Sequence, residues 1–245
     1  MYWPVVLILI IAIIVTFVII FTKVSAPPLF VYYFGETNTL TTGSNNSFSS
    51  QIASSDKDTY IVKTETQKDR GSGDISMEKI VSNNTLPSPA ISISNASANS
   101  TNAEVAAAGN NVYVVWSDTN STKSADADIF FSSSSNNGGS FDQPINLSNS
   151  IGNSSNPEVA ASGNNVYVVW SDTNGAKGEN GDIFFSSSRD RAGSFGEPIN
   201  LSDNSQNSIN PQVSASGSNI YVFWNDFSSA KNEIKYKQIK LVAMG

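Results

Sequence analysis

The chain has 245 residues, a formal net charge of −7, no Cys and no His. Missing thiols and imidazoles exclude disulfides, thiol nucleophiles, the usual zinc and haem ligation, and Ser-His-Asp catalysis. Three arginines in an acidic chain also argue against nucleic acid as a partner, because phosphate recognition needs clustered cations.

The first element in chain order is apolar. Val5 to Phe21 is a run of 17 residues without a charge, and from Tyr2 to Thr22 it reaches the length of about 20 residues that a spanning helix requires. Residues 1–22 therefore read as an N-terminal transmembrane helix, contacting the membrane through residues 5–21, with residues 23–33 as a linker. A cleaved signal peptide is the alternative, with Val24-Ser25-Ala26 as its cleavage site. Against it, the run exceeds the usual core of about 7–15 residues and no Lys or Arg precedes it. The amino terminus and Lys23 nearly cancel, so charge does not set the orientation. The Ser/Thr/Asn-rich remainder is read as extracytoplasmic, in a single-pass membrane protein. Its eight N-x-S/T sequons, among them Asn45, Asn95, Asn120 and Asn146, are the number that composition alone provides. They would be glycan acceptors on an exported domain.

Residues 34–245 repeat every 53 or 54 positions. Asn111-Val112-Tyr113-Val114-Val115-Trp116-Ser117-Asp118 returns as Asn165-Val166-Tyr167-Val168-Val169-Trp170-Ser171-Asp172, and again as Asn219-Ile220-Tyr221-Val222-Phe223-Trp224-Asn225-Asp226. A period of this size, rich in strand formers and punctuated by Gly and Asn, predicts an all-β propeller. Each unit reads as four strands, A to D. In the clearest copy these are Pro157 to Ser162, Val166 to Ser171, Asp182 to Ser187 and Phe195 to Ser202. Strands B and C are apolar on both faces, as expected of sheets sandwiched between neighbours. Small residues such as Ala106, Ala107, Ala160 and Ala161 suit strand A, the innermost. An eroded copy precedes these three, with Ile52-Ala53-Ser54-Ser55 and Tyr60 in place of Val159-Ala160-Ala161-Ser162 and Tyr167.

The last copy stops after its third strand, Glu233 to Leu241. Phe34-Gly35-Glu36-Thr37-Asn38-Thr39-Leu40-Thr41 aligns without gaps to strand D, Phe195 to Ser202. The expectation is four blades, with the N-terminal strand completing the last one and removing the open edge. An eight-bladed ring made by two chains is the alternative.

Between strands C and D stand Ser134-Ser135-Asn136-Asn137-Gly138-Gly139-Ser140-Phe141 and Ser188-Arg189-Asp190-Arg191-Ala192-Gly193-Ser194-Phe195. These resemble the Asp-box, or BNR repeat, of sialidase-like propellers. The motif positions are Ser134, Asn136, Gly138, Ser140 and Phe141 in one copy, and Ser188, Asp190, Ser194 and Phe195 in the other. The first departs from the pattern at Asn136 and the second at Ala192. The repeat is also similar to those of archaeal membrane-anchored proteins of sialidase-like type. The resemblance implies a propeller whose Asp-boxes lie opposite the ligand face, so that the B–C and D–A loops face away from the tether. It implies no activity, since fold does not fix function.

A sialidase mechanism needs three arginines for the substrate carboxylate, and two of the three here, Arg189 and Arg191, fall within the second Asp-box. Two further sets of acids recur. Glu65, Asp118, Asp172 and Asp226 end strand B, while Asp74, Asp128, Asp182 and Glu233 begin strand C. They could hold Ca²⁺ or form an electronegative collar, or each could close its own loop as an Asx turn. Gln51, Glu104, Glu158 and Gln212 open strand A, where they could ring a channel mouth and its ion. Trp116, Trp170 and Trp224 read as core between blades rather than as sugar platforms. The repeat-breaking charges Lys123, Asp126, Lys177, Glu179 and Lys68-Asp69-Arg70 sit in the B–C loops and supply no acid, base and nucleophile set. The expected function is non-catalytic: binding or adhesion to a cell-surface protein or glycan, without a resident cofactor. The alternative is a carbohydrate-active, glycosidase-like enzyme lacking the sialidase arginines, since two carboxylates suffice for glycoside hydrolysis.

Overall fold

The computed structural model describes residues 37, 39, 46–56, 58–66, 72–81, 87–94, 99–119, 126–173, 180–203, 206–227 and 231–241. The anchor read at residues 1–22, the linker, the closing strand at 34–41 apart from Thr37 and Thr39, and most of the B–C loops lie outside the described residues. Among the described residues no helix is long and apolar enough to cross a membrane.

Four antiparallel sheets follow one another along the chain. The first contains β1 (Asn46–Ser55), β2 (Asp58–Thr66), β3 (Gly73–Val81) and β4 (Ile91–Ser92). The second contains β5 (Asn99–Ala108), β6 (Asn111–Thr119), β7 (Asp128–Ser134) and β8 (Ile145–Asn146). The third contains β9 (Ser154–Ser162), β10 (Asn165–Asp172), β11 (Asp182–Ser188) and β12 (Ile199–Asn200). The fourth has three described strands, β13 (Asn207–Ser216), β14 (Asn219–Phe227) and β15 (Asn232–Lys240). Each sheet is a simple meander, its strands in chain order. This is the four-blade pattern the repeat predicts.

Two boundaries differ from the sequence expectation, for physical reasons. Strand A is longer: β9 starts at Ser154, because it continues through a bulge between Val169 and Ser171 of its partner register. Strand D is shorter. Only Ile199 and Asn200 pair with β11, and Pro198 just before them has no N–H to give a ladder.

The sheets stack through apolar side chains. Tyr60, Val62, Ile75 and Met77 of the first pack on Val112, Val114 and Trp116 of the second. Tyr113, Val115, Ile129 and Phe131 then meet Val166, Val168 and Trp170, and Tyr167, Val169, Ile183 and Phe185 meet Ile220, Val222 and Trp224. The three tryptophans are at most 5% exposed, so they are inter-blade core. Burying such a side chain contributes about 1.5–3 kcal/mol, which makes these layers the main source of cohesion.

Polar staples reinforce each junction. The side-chain oxygens of Asn99, Asn153 and Asn207 accept the N–H of Gly73, Ala127 and Gly181 in the preceding sheet, at 2.8, 2.9 and 2.8 Å. At the first of them the chains run close: a Cβ on Gly73 would lie 2.3 Å from the Ser100 carbonyl oxygen. The C–D turns are closed by side chains. Ser188 Oγ donates to Asp190 Oδ1 at 2.6 Å and accepts the Ala192 N–H, while Asp190 accepts both the N–H and the hydroxyl of Ser194. Those bonds, led by that from Ser188, lower the fully exposed Asp190 carboxyl to about 2. Asn136 closes the other turn nearly as well: its oxygen accepts the Ser140 N–H, and its amide donates to Ser140 Oγ at 2.9 Å. Ala192 holds φ of 70°, the same as Gly138 at the matching position.

Candidate functional site

The strand-end acids are engaged within their own blades. Asp118 Oδ2 accepts Ser100 Oγ at 2.9 Å and Trp116 Nε1 at 3.3 Å. Asp172 accepts Ser154 Oγ and Ser150 Oγ, and Asp226 accepts Ser208 Oγ and pairs with Lys235 at 3.2 Å. These three are no more than 6% exposed. Burial pushes the Asp118 carboxyl up against the opposing pull of its two donors. Glu65 pairs with Lys63 at 2.9 Å and accepts Ser47 Oγ. The acids that open strand C latch strand D: Asp128 accepts Asn146 and Ser148, and Asp182 accepts Asn200 and Ser202. Among the described residues no three acids gather as a metal-holding group.

The innermost strands carry a different arrangement. Gln51 of β1 donates to Glu104 of β5 at 2.7 Å, and Gln212 of β13 donates to Glu158 of β9. These bonds span 53 and 54 residues, so each crosses from one blade to the next. Burial raises the Glu104 carboxyl to about 7, helped by the negative charge of Glu158 and opposed by the Gln51 amide. Burial also raises Glu158. The Gln212 amide opposes that rise, as the Gln51 amide does for Glu104.

A bulge in strand A presents this row. The register slips between Thr101 and Glu104 and between Ile209 and Gln212, and Asn102, Asn156 and Asn210 take φ of 51, 50 and 53°. Asn tolerates this left-handed conformation better than most residues. The three asparagines form a second ladder, Asn102 donating to Asn156 at 3.4 Å and Asn156 to Asn210 at 3.0 Å. Their 54-residue spacing was visible in the sequence, but only the backbone bulge explains why Asn recurs there. In a meander, strand A begins at the end of the blade opposite the C–D turn. The Asn ladder sits toward that end and the acid–amide row at the middle of strand A, while Arg189 and Arg191 sit in the C–D turn at the other end.

The row therefore sets a carboxyl group raised to about 7 in the same line as a second carboxyl group, among amide donors and acceptors. That is the inventory that acid-assisted cleavage of an acetal requires.

No protein-family model and no curated protein sequence matches the chain. Solved structures do. Trypanosoma rangeli sialidase in complex with the inhibitor DANA superposes with a TM-score of 0.56 at 11% identity, covering 80% of this chain and 38% of that one. The GH93 α-L-arabinofuranosidase of Fusarium graminearum, in complex with arabinobiose, gives 0.56 at 10% identity, covering 79% of this chain and 62% of that one. The chain thus spans less than two thirds of either protein's length. The non-catalytic expectation is corrected here, because both of these structural neighbours are glycosidases. That expectation looks for an acid, base and nucleophile set only among the charges that break the repeat, and so passes over carboxylates that recur with it. At such low identity the likeness is one of fold: this chain has the fold of the sialidase-like propellers.

Proposed function

We propose that this protein is a carbohydrate-active propeller that hydrolyses a neutral glycan at the Glu104–Glu158 pair. The observation that carries this reading is the carboxyl pair on adjacent inner strands, with Glu104 raised to about 7 by burial and by Glu158. Glu104 donates its proton to the leaving glycosidic oxygen. Glu158, ionised, takes a proton from the water that attacks the anomeric carbon, so one water is added across the broken bond. Gln51, Gln212 and the Asn102–Asn156–Asn210 ladder offer donors and acceptors for sugar hydroxyls. A neutral ligand is favoured because Arg189 and Arg191 belong to the distant C–D turn. The C–D turns act as Asp-box staples, and residues 5–21 tether the domain on the outer side of a membrane.

The test is turnover of a panel of neutral and sialylated aryl glycosides and oligosaccharides by the full chain. Turnover of a neutral substrate, reduced about 10²–10⁴-fold in a Glu104→Gln variant that still folds cooperatively, is expected. Turnover that survives Glu104→Gln, or that is confined to sialosides, would sink the assignment.

A further inference from the structure

Where strand A runs into the A–B turn, a serine ties one blade to the next. Ser55 Oγ donates to the Gly109 carbonyl at 2.9 Å between the first and second sheets. Ser162 Oγ accepts the Gly217 N–H at 3.1 Å between the third and fourth. By register, Ala108 holds this position in the second sheet. Alanine has no hydroxyl, so this tie is missing between the second and third sheets. A pocket of about 420 Å³ opens there, between the Gly109-Asn110 and Gly163-Asn164 turns.

The repeat breaks a second time at the same place. Asn137 of the second blade is replaced by Arg191 in the third, and Arg191 lines the pocket. Both residues dock their backbone N–H on the A–B turn of their own blade, Asn137 on the Asn110 carbonyl and Arg191 on that of Asn164, each at 2.9 Å. Arg191 adds a side-chain bond, its Nε donating to Asn164 Oδ1 at 2.8 Å. That bond fixes the guanidinium and leaves its two terminal nitrogens as a fork. The fork reaches toward the second blade: burial raises the phenol of Tyr113 in β6, and the charge of Arg191 opposes the rise. Among the described residues no acid lines the pocket. Asp190 next door spends its carboxylate on Ser188 and Ser194.

We propose that this pocket is a binding site for a small carboxylate, separate from the Glu104–Glu158 pair. A guanidinium fork meets a carboxylate through two parallel N–H···O bonds. One positive charge balances one negative charge, whereas a phosphate monoester brings nearly two. Because Nε can only donate, Asn164 turns its oxygen to it and keeps its Nδ2 as a donor for a ligand hydroxyl. The volume lies near the lower end of the range of about 300–1,000 Å³ for small-molecule sites, which suits a single sugar acid. One fork at an open pocket binds weakly, with dissociation on the order of millimolar.

The test is a titration of the ¹⁵N-labelled full chain in detergent with sodium glucuronate, to about 50 mM at fixed ionic strength. NMR follows the amides of Gly109 and Gly163 and the Nε–H signals, of which the chain's three arginines give only a few. A saturable shift at Gly109, Gly163 and Arg191 is expected, with none from neutral methyl glucoside and weaker binding of inorganic phosphate. Arg191→Asn installs the residue that the second blade carries, so the turn is kept while the fork is lost. Ala108→Ser restores the tie found at the other junctions and narrows the pocket. Each should raise the dissociation constant at least about tenfold, read at the glycine amides. Absence of saturation would overturn the proposal, as would binding unchanged in either variant, or methyl glucoside or phosphate binding as tightly as glucuronate.

Discussion

Two sets of acids recur with the same period in this molecule, and they do opposite things. Asp118, Asp172 and Asp226 accept serine hydroxyls 18 residues away, across strands A and B of their own blade. Glu104 and Glu158 instead take amide protons 53 and 54 residues away, across the junction between blades. The first set closes a blade on itself. The second gathers side chains from all four sheets along the inner strands. Faithful repetition does not separate scaffold from site; the sequence distance that a hydrogen bond spans does.

Removing a scaffold acid should have the largest effect. Asp172 is 3% exposed and holds Ser154 Oγ at 2.8 Å and Ser150 Oγ at 3.0 Å. Asp172→Ala leaves the buried Ser154 hydroxyl without its acceptor and opens a void beside Trp170. A loss of about 3 kcal/mol is expected in denaturant unfolding. A loss below about 0.5 kcal/mol would mean that the within-blade latch is not structural after all.

The Glu104–Glu158 pair responds to pH instead. The Glu104 carboxyl is raised in the folded state, from 4.5 to about 7. The folded protein thus binds this proton more tightly than the unfolded chain does. The contribution is fully present below about pH 4.5 and is lost as pH rises through about 7. Allowing for partial exposure, roughly 2 kcal/mol of stability should fade over that window. Glu104→Gln should flatten that part of the profile, so its melting temperature overtakes the parent's above pH 7. Parallel profiles for parent and variant would show that Glu104 titrates normally, and the pair would lose its distinction from the scaffold acids.

Much of this architecture was legible in the sequence. The Trp116, Trp170 and Trp224 period located the blade interfaces, because two-sided apolar strands can only be sandwiched. Asp118 and Asp172 read in the sequence as closing their own loops in Asx turns, whereas their partners are the hydroxyls of Ser100 and Ser154, directly across the ladder between strands A and B. The inner-strand site was only half legible. Glu104, Glu158, Gln51 and Gln212 could be placed at the start of strand A, but their pairing across blades depends on a bulge whose left-handed Asn leaves no local sequence mark beyond its recurrence. The exposure of Tyr221 and Phe223, 37 and 42%, was hidden by the repeat itself, since in sequence they look like any buried strand B.

The smallest expected effect probes the Asn ladder. Asn156 holds φ of 50° and bridges Asn102 to Asn210 through contacts of 3.4 and 3.0 Å near the surface. Asn156→Gly keeps the left-handed backbone, which Gly adopts freely, and removes only the two side-chain bonds. Exposed neutral hydrogen bonds of this kind contribute little, so stability should drop by about 0.5 kcal/mol or less. Asn156→Val also removes them but places a β-branched side chain in a conformation it strongly resists, and should cost about 2 kcal/mol more. Equal losses for Gly and Val would locate the role of Asn156 in its side chain. The Gly variant near neutral and the Val variant damaging would locate it in the bulge, which is the backbone feature that turns Glu158 toward its neighbour's blade.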